Sequence, residues 1–219
     1  MKKDQEQSGG ALVPSESCAL TGKSNGLVRR GLDDLLSESA GAKPVELSRL
    51  VGLEQSAETE EARIAAIVSL RGIGPLNEEV EHALVLALSD ESAYVRFLAA
   101  EALSKQGRQA KRAIPILTEA LGHSGDPEGR HGEYVKDWKR VAAGALGNYG
   151  NDAEKAIPAL VRTMSNADYN VRGYAAMSLG RIGVPSQLAL RGLEQAMAIE
   201  QIENVKSIML ESLDRLRGR

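Results

Sequence analysis

Three histidines, His82, His123 and His131, and one cysteine, Cys18, are the only histidine and cysteine side chains in the sequence. Metal or redox chemistry needs such groups clustered. The nearest approach is the stretch around His123 and His131, with Asp126, Glu128 and Glu133 close by. A glycine-rich loop of that composition reads as solvated, so neither a metal nor a cofactor is expected. Cys18 lies in a polar tail and has no second cysteine with which to form an internal disulfide. The fragment TGKS at Thr21 to Ser24 ends like a phosphate-binding loop. That motif requires a glycine five positions before its second glycine, and Ser17 stands there. No Ser-His-Asp, Cys-His or paired-carboxylate arrangement can be picked out, and no catalytic residue is assigned.

The residues that do recur are cations. Arg63, Arg96, Lys139, Arg172 and Lys206 form a column with steps of 33, 43, 33 and 34 residues. Such a column could bind phosphate. The stronger reading is structural, with each cation meeting carboxylates such as Asp90 or Asp168 in adjacent turns and fixing how the units stack.

These cations must be positioned by helices. Three places after each one the sequence reads Ala66, Ala99, Ala142, Ala175 and Met209; seven after, Leu70, Leu103, Leu146, Leu179 and Leu213. Spacings of three and seven put both sets on one helix face, where the first lets a neighbour approach and the leucine fills the space between. Gly74, Gly107, Gly150 and Gly183 follow as turns able to take positive φ. Second helices then carry Leu84, Leu117, Leu160 and Leu193, each followed four residues later by Leu88, Leu121, Met164 or Met197. Pro115 and Pro158 are expected near the starts of their helices, where a missing amide hydrogen costs little. A two-helix unit repeated in this way cannot bury its apolar face alone and must stack on its neighbours. The expected fold is all-α, a right-handed α-α superhelix of about five helical-hairpin units. Residues 1–25 read as a loosely ordered tail, 26–57 as a degenerate N-terminal capping unit, and 58–219 as the repeat domain. The last segment, from Glu203, supplies a first helix without a second.

The pattern VRxxAAxALxxxG followed by AIPxLxxAL resembles HEAT-like repeats of the bacterial phycobilisome-lyase type and related proteins. Val95, Arg96, Ala99, Ala100, Ala102, Leu103 and Gly107 carry it, as do Val171, Arg172, Ala175, Ala176, Leu179 and Gly183. The third unit departs from it, with Trp138 and Lys139 in place of valine and arginine. The resemblance covers residues 58 to 217. It implies a curved surface that holds another protein, and some members assist attachment of bilin pigments to antenna proteins. No histidine here is followed by glutamate, so the paired His-Glu motifs of HEAT-repeat di-iron hydroxylases are absent.

Hydrophobic residues make up 42% of the chain and aromatic ones 3%, and the formal net charge is −3. That charge gives no global drive toward nucleic acid or anionic lipid. Nowhere do 18 consecutive apolar residues occur, so no membrane role and a cytoplasmic location are expected. The function expected is a non-enzymatic scaffold binding a protein partner; the alternative is a bilin-lyase-like enzyme or lyase subunit acting on an antenna protein. Partner contacts are expected from second-helix residues pointing away from the core leucines, above all Arg112, Lys155, Arg162 and Arg191 on the concave face. A competing location is the inserted edge loop at 122–135, which accounts for the 43-residue step, with Tyr134 and Trp138 four residues apart beside it.

Overall fold

The computed structural model describes residue 52 and residues 59–72, 77–122 and 138–218. The proposed tail, nearly all of the proposed N-terminal capping unit, and residues 123–137, with His123, His131 and Tyr134, lie outside them. Among the described residues the secondary structure is entirely helical, in the order α1 (Glu60–Gly72), α2 (Glu78–Ala87), α3 (Ala93–Ser104), α4 (Ala110–Gly122) and α5 (Trp138–Gly147). A 3-10 segment (Gly150–Ala156), α6 (Ile157–Thr163), α7 (Tyr169–Ile182), α8 (Gln187–Ile199) and α9 (Glu203–Leu216) complete it.

Local chemistry sets these boundaries. The side chains of Asn77, Ser92, Asp168 and Ser186 accept hydrogen bonds from backbone amides in the first turns of α2, α3, α7 and α8. Gly183 closes α7 at φ +72°, and Gly107 and Gly150 also take positive φ, as the turn column requires. The third unit's second helix starts less regularly than expected, as the 3-10 segment running into α6. Pro158 falls in the first turn of α6 as anticipated. Pro115 does not: it is the sixth residue of α4, so no amide there can serve the carbonyl of Lys111. Both residues are exposed, and water can take that place.

The first helices α1, α3, α5, α7 and α9 stack in a row, each against the next, and the second helices α4, α6 and α8 form a row beside them. The core runs continuously between the rows. Leu70, Leu103, Leu146, Leu179 and Leu213 are buried, as are Leu84, Leu117, Leu160 and Leu193. Fully burying each such side chain is worth about 1.5–3 kcal/mol. This is the expected solenoid.

The first-helix row approaches most closely at two equivalent places. A Cβ added at Gly147 would lie 3.1 Å from Ser178 Cα, and one at Gly180 would lie 2.9 Å from Ser212 Cα. Each glycine stands eight residues after its unit's cation, and each serine six after the next unit's. Ser178 Oγ donates to the carbonyl of Ala143, 2.6 Å away in the preceding unit, so the hydroxyl at the first contact is satisfied across the interface.

Trp138 corrects an expectation. Rather than projecting beside the loop, it is buried at 8% exposure, and its ring stacks with Tyr94 and Phe97 at centroid distances of 5.3 and 4.9 Å. Opening α5, it inserts between that helix and α3, filling space that valine would leave. The three-ring stack joins the units on either side of the long step.

Candidate functional site

Two sets of residues repeat with the units, and the structure separates them. The cation column points inward along the turns. Arg63 Nε lies 2.7 Å from Asp90 Oδ2 and its Nη2 3.0 Å from Oδ1, a two-point grip on the turn that leads out of α2. Arg172 grips Glu200 in the same way, Nε to Oε2 at 2.6 Å and Nη2 to Oε1 at 2.8 Å, at the end of α8. Arg172 Nη1 also donates to the carbonyls of Asn166 and Ala167, as Arg96 Nη1 does to those of Asp90 and Glu91. Arg172 thus clamps backbone behind it and carboxylate ahead of it, while Arg63 shows the carboxylate grip and Arg96 the backbone one. These charge-assisted, bidentate contacts are strong and directional. They hold the Glu200 carboxyl down at a pKa of about 2, through the Arg172 guanidinium first and the amides of Ile202 and Gln201 besides. The expected pairing with carboxylates is seen for Arg63 and Arg172; Arg96 reaches backbone carbonyls instead among the described residues. Asp90 is a partner as expected, whereas Asp168 caps α7 and Glu200 takes its place opposite Arg172. Lys206 pairs within its own helix, with Glu203 at 2.9 Å.

Lys139 breaks the pattern. The residue 27 after Arg63 is Asp90 and the residue 28 after Arg172 is Glu200; 27 and 28 after Lys139 stand Asn166 and Ala167. Asn166 occupies the same turn position, because its Oδ1 accepts from the amide of Asp168 at 2.9 Å as Asp90 Oδ1 accepts from that of Ser92 at 2.7 Å. Neither Asn166 nor Ala167 supplies a carboxylate to that turn position. Lys139, Asn166 and Arg162 instead line a cleft of about 430 Å³ between the ends of α4 and α6, together with Thr118, Thr163 and Ser165.

The second set lies on the opposite side of the second helices. Counting five before, two before and two after each core leucine gives Glu79, His82 and Leu86; Arg112, Pro115 and Glu119; Lys155, Pro158 and Arg162; Leu188, Arg191 and Gln195. In a regular helix these offsets fall within about 40° of the direction opposite the leucine. All are exposed. Arg112, Lys155, Arg162 and Arg191 are therefore brought to one outward face over three successive units. Arg112 Nη2 reaches Ser89 Oγ at 3.3 Å; Lys155, Arg162 and Arg191 form no ion pair among the described residues. Glu194, also outward, is held by Arg217. No helix among the described residues is long and apolar enough to cross a membrane.

Several solved structures share this architecture. An engineered protein superposes with a TM-score of 0.63 at 20% identity, covering 87% of this chain and 92% of its own. A designed armadillo repeat protein in complex with a (KR)4 peptide gives 0.60 at 19% identity, covering 86% and 92%. The complex of CpcE and CpcF of phycocyanin lyase from Nostoc sp. PCC7120 gives 0.51 at 18% identity, covering 78% and 99%. At such identities the likeness is one of fold. No match was found among curated proteins. A family model described as HEAT repeats matches residues 48–135 and 136–214, its division falling inside the long step between the second and third units. Matched over most of its length, with the helical rows, glycine turns and leucine core of that repeat, the chain belongs to the HEAT-repeat family.

Proposed function

We propose that this HEAT array is a non-enzymatic scaffold in the cytoplasm that holds a protein partner on the outward face of its second helices. One observation supports the reading above others: the leucine, alanine and glycine consensus positions are taken up by packing, while the outward positions of three successive second helices carry Arg112, Lys155, Arg162 and Arg191, none in an ion pair among the described residues. Arg112, Lys155, Arg162 and Arg191 steer an acidic partner to this face. The concave side of a stacked array is the natural place for such contacts. The inserted segment at 122–135 with Tyr134 is the competing location.

The test replaces all four cations by alanine. Exposed charges contribute little to stability, so helicity and melting should barely change. Partner capture from native extract should weaken, most at low salt. Full capture by this variant, with loss on deletion of residues 123–132, would move the site to the loop. A second reading, a lyase-like subunit that grips a bilin and its acceptor protein, draws on the likeness of fold to the phycocyanin lyase complex. It requires that mixing with free bilin change the pigment's absorption.

A further inference from the structure

The turns at Asp90 and Asn166 share their backbone hydrogen bonds, and Glu200 stands at the corresponding position, six residues before the next cation, where α8 hands over to α9. Asp90 and Glu200 each put a carboxylate into the grip of an arginine. Asn166, the equivalent in the third unit, brings an uncharged amide, and the cation beside it is a half-buried lysine. Lys139 and Arg162 form no ion pair among the described residues, although both line the same cleft. The helix-end carbonyls that would repel an anion there are engaged: those of Leu160 and Val161 accept from Met164 N, that of Arg162 from Ser165 N and Oγ, and that of Thr163 from Asn166 N. The hydroxyls of Thr118, Thr163 and Ser165 donate to the backbone carbonyls of Ile114, Ala159 and Arg162, so the two cations are the groups left to meet an anion in a space large enough for a side chain to enter.

We propose that this cleft binds a carboxylate presented by a partner protein, an Asp or Glu side chain taking the place that Asp90 holds in the first unit and Glu200 in the fourth. Lysine suits this role. Unlike the arginine fork it demands no single planar geometry, so it can accept a carboxylate arriving from another chain. The proposal deepens the reading of the second-helix face, since Arg162 belongs to both, and rests on that reading for the identity of the donor as a protein.

The experiment uses the full isotope-labelled chain and a hexaglutamate peptide, followed by NMR. Saturable shifts are expected at the amides of Asn166 and Ala167 and at Lys139 Cε, with a hexaglutamine peptide producing none. Lys139→Gln should weaken binding roughly tenfold, the loss of a hydrogen bond to a charged group. Asn166→Asp supplies an internal carboxylate in the geometry of Asp90; it should abolish the peptide shifts while the melting temperature holds or rises. Absence of saturable shifts at these positions, or identical shifts in Asn166→Asp, would overturn the proposal. Displacement of the peptide by inorganic phosphate at lower concentration than its own glutamates would overturn the carboxylate assignment. The two readings fail separately: the triple variant R112A/K155A/R191A lies outside the cleft, and its full retention of native partner capture would count against the outward face alone.

Discussion

Arg172 and Glu200 stand 28 residues apart and meet through two parallel hydrogen bonds, with the Glu200 side chain at 2% exposure and that of Arg172 at 18%. The pair ties the start of α7 to the end of α8, and Glu200 passes the tie onward by accepting from the amides of Gln201 and Ile202 at the entry to α9. One carboxylate thus links the start of α7 to the entry of α9.

That carboxylate should give the fold a recognisable acid response. Its pKa falls from 4.5 to about 2 in the folded chain, because Arg172 and two amides favour the charged form. A depressed folded value means that the contribution is complete above the unfolded value, near pH 4.5, and is lost as pH falls toward 2. Glu200→Gln should cost about 2 to 4 kcal/mol at pH 7, since it leaves Arg172 without its counter-charge. Urea unfolding of both proteins from pH 7 to 2.5 should show that difference shrinking below pH 4.5. A constant difference would mean that the loss comes from packing alone.

Leu146 lies fully buried at the middle of the array, and Leu188 is 48% exposed on the outward face. Leu146→Ala should destabilise by about 2–5 kcal/mol. Leu188→Ala should stay within about 0.5 kcal/mol. Equal denaturation midpoints for the two would contradict the assignment of inner and outer faces.

Gly147 and Gly180 sit in helices, where alanine would ordinarily gain about 1 kcal/mol. Here the added methyl meets the Cα of Ser178 or Ser212, atoms that cannot move aside without shifting a helix. Either substitution to alanine should instead destabilise by about 1–3 kcal/mol. Gly122→Ala is the control, because no atom beyond its chain neighbours and its own helix's nearby backbone lies within 4 Å of the added Cβ, and it should be neutral or mildly stabilising. Thermal melts of the three variants decide the matter.

Trp138 is the sole tryptophan and reports on its own surroundings. Stacked between Tyr94 and Phe97, it should emit at short wavelength and resist quenching by acrylamide. Trp138→Ala should cost about 3–5 kcal/mol. A red-shifted, freely quenched emission in the native protein would restore the exposed position expected from the sequence.

The columns of leucine, alanine and glycine were legible in the sequence because packing between stacked helices repeats with the unit, so periodicity and burial coincide at Leu103, Leu146 and Leu179. The outward placement of Arg112, Lys155, Arg162 and Arg191 followed from the same phase. Contacts between separate helices were less accessible. Nothing local to Arg172 marks Glu200 rather than Asp168 as its partner, because both lie near a turn and only the stacking chooses. Trp138 was misread for a related reason: its neighbours Tyr94 and Phe97 lie in the preceding unit, beyond the insertion, and helical phase says nothing about what faces a residue across a gap. The change from carboxylate to amide at Asn166 was readable in principle, by comparing positions 27 and 28 after each cation. It gained meaning only once Arg63 and Arg172 were seen to use those positions.

The two glycine-serine contacts have a consequence for how the array comes apart. Units that touch only their neighbours melt from wherever the coupling is weakest. The interlock joins α5 to α7 and α7 to α9, so these three helices should open as one cooperative block, and their amides should exchange with solvent most slowly. Helices α1 and α2 lie outside it, and they should fray and reclose many times before the block opens once.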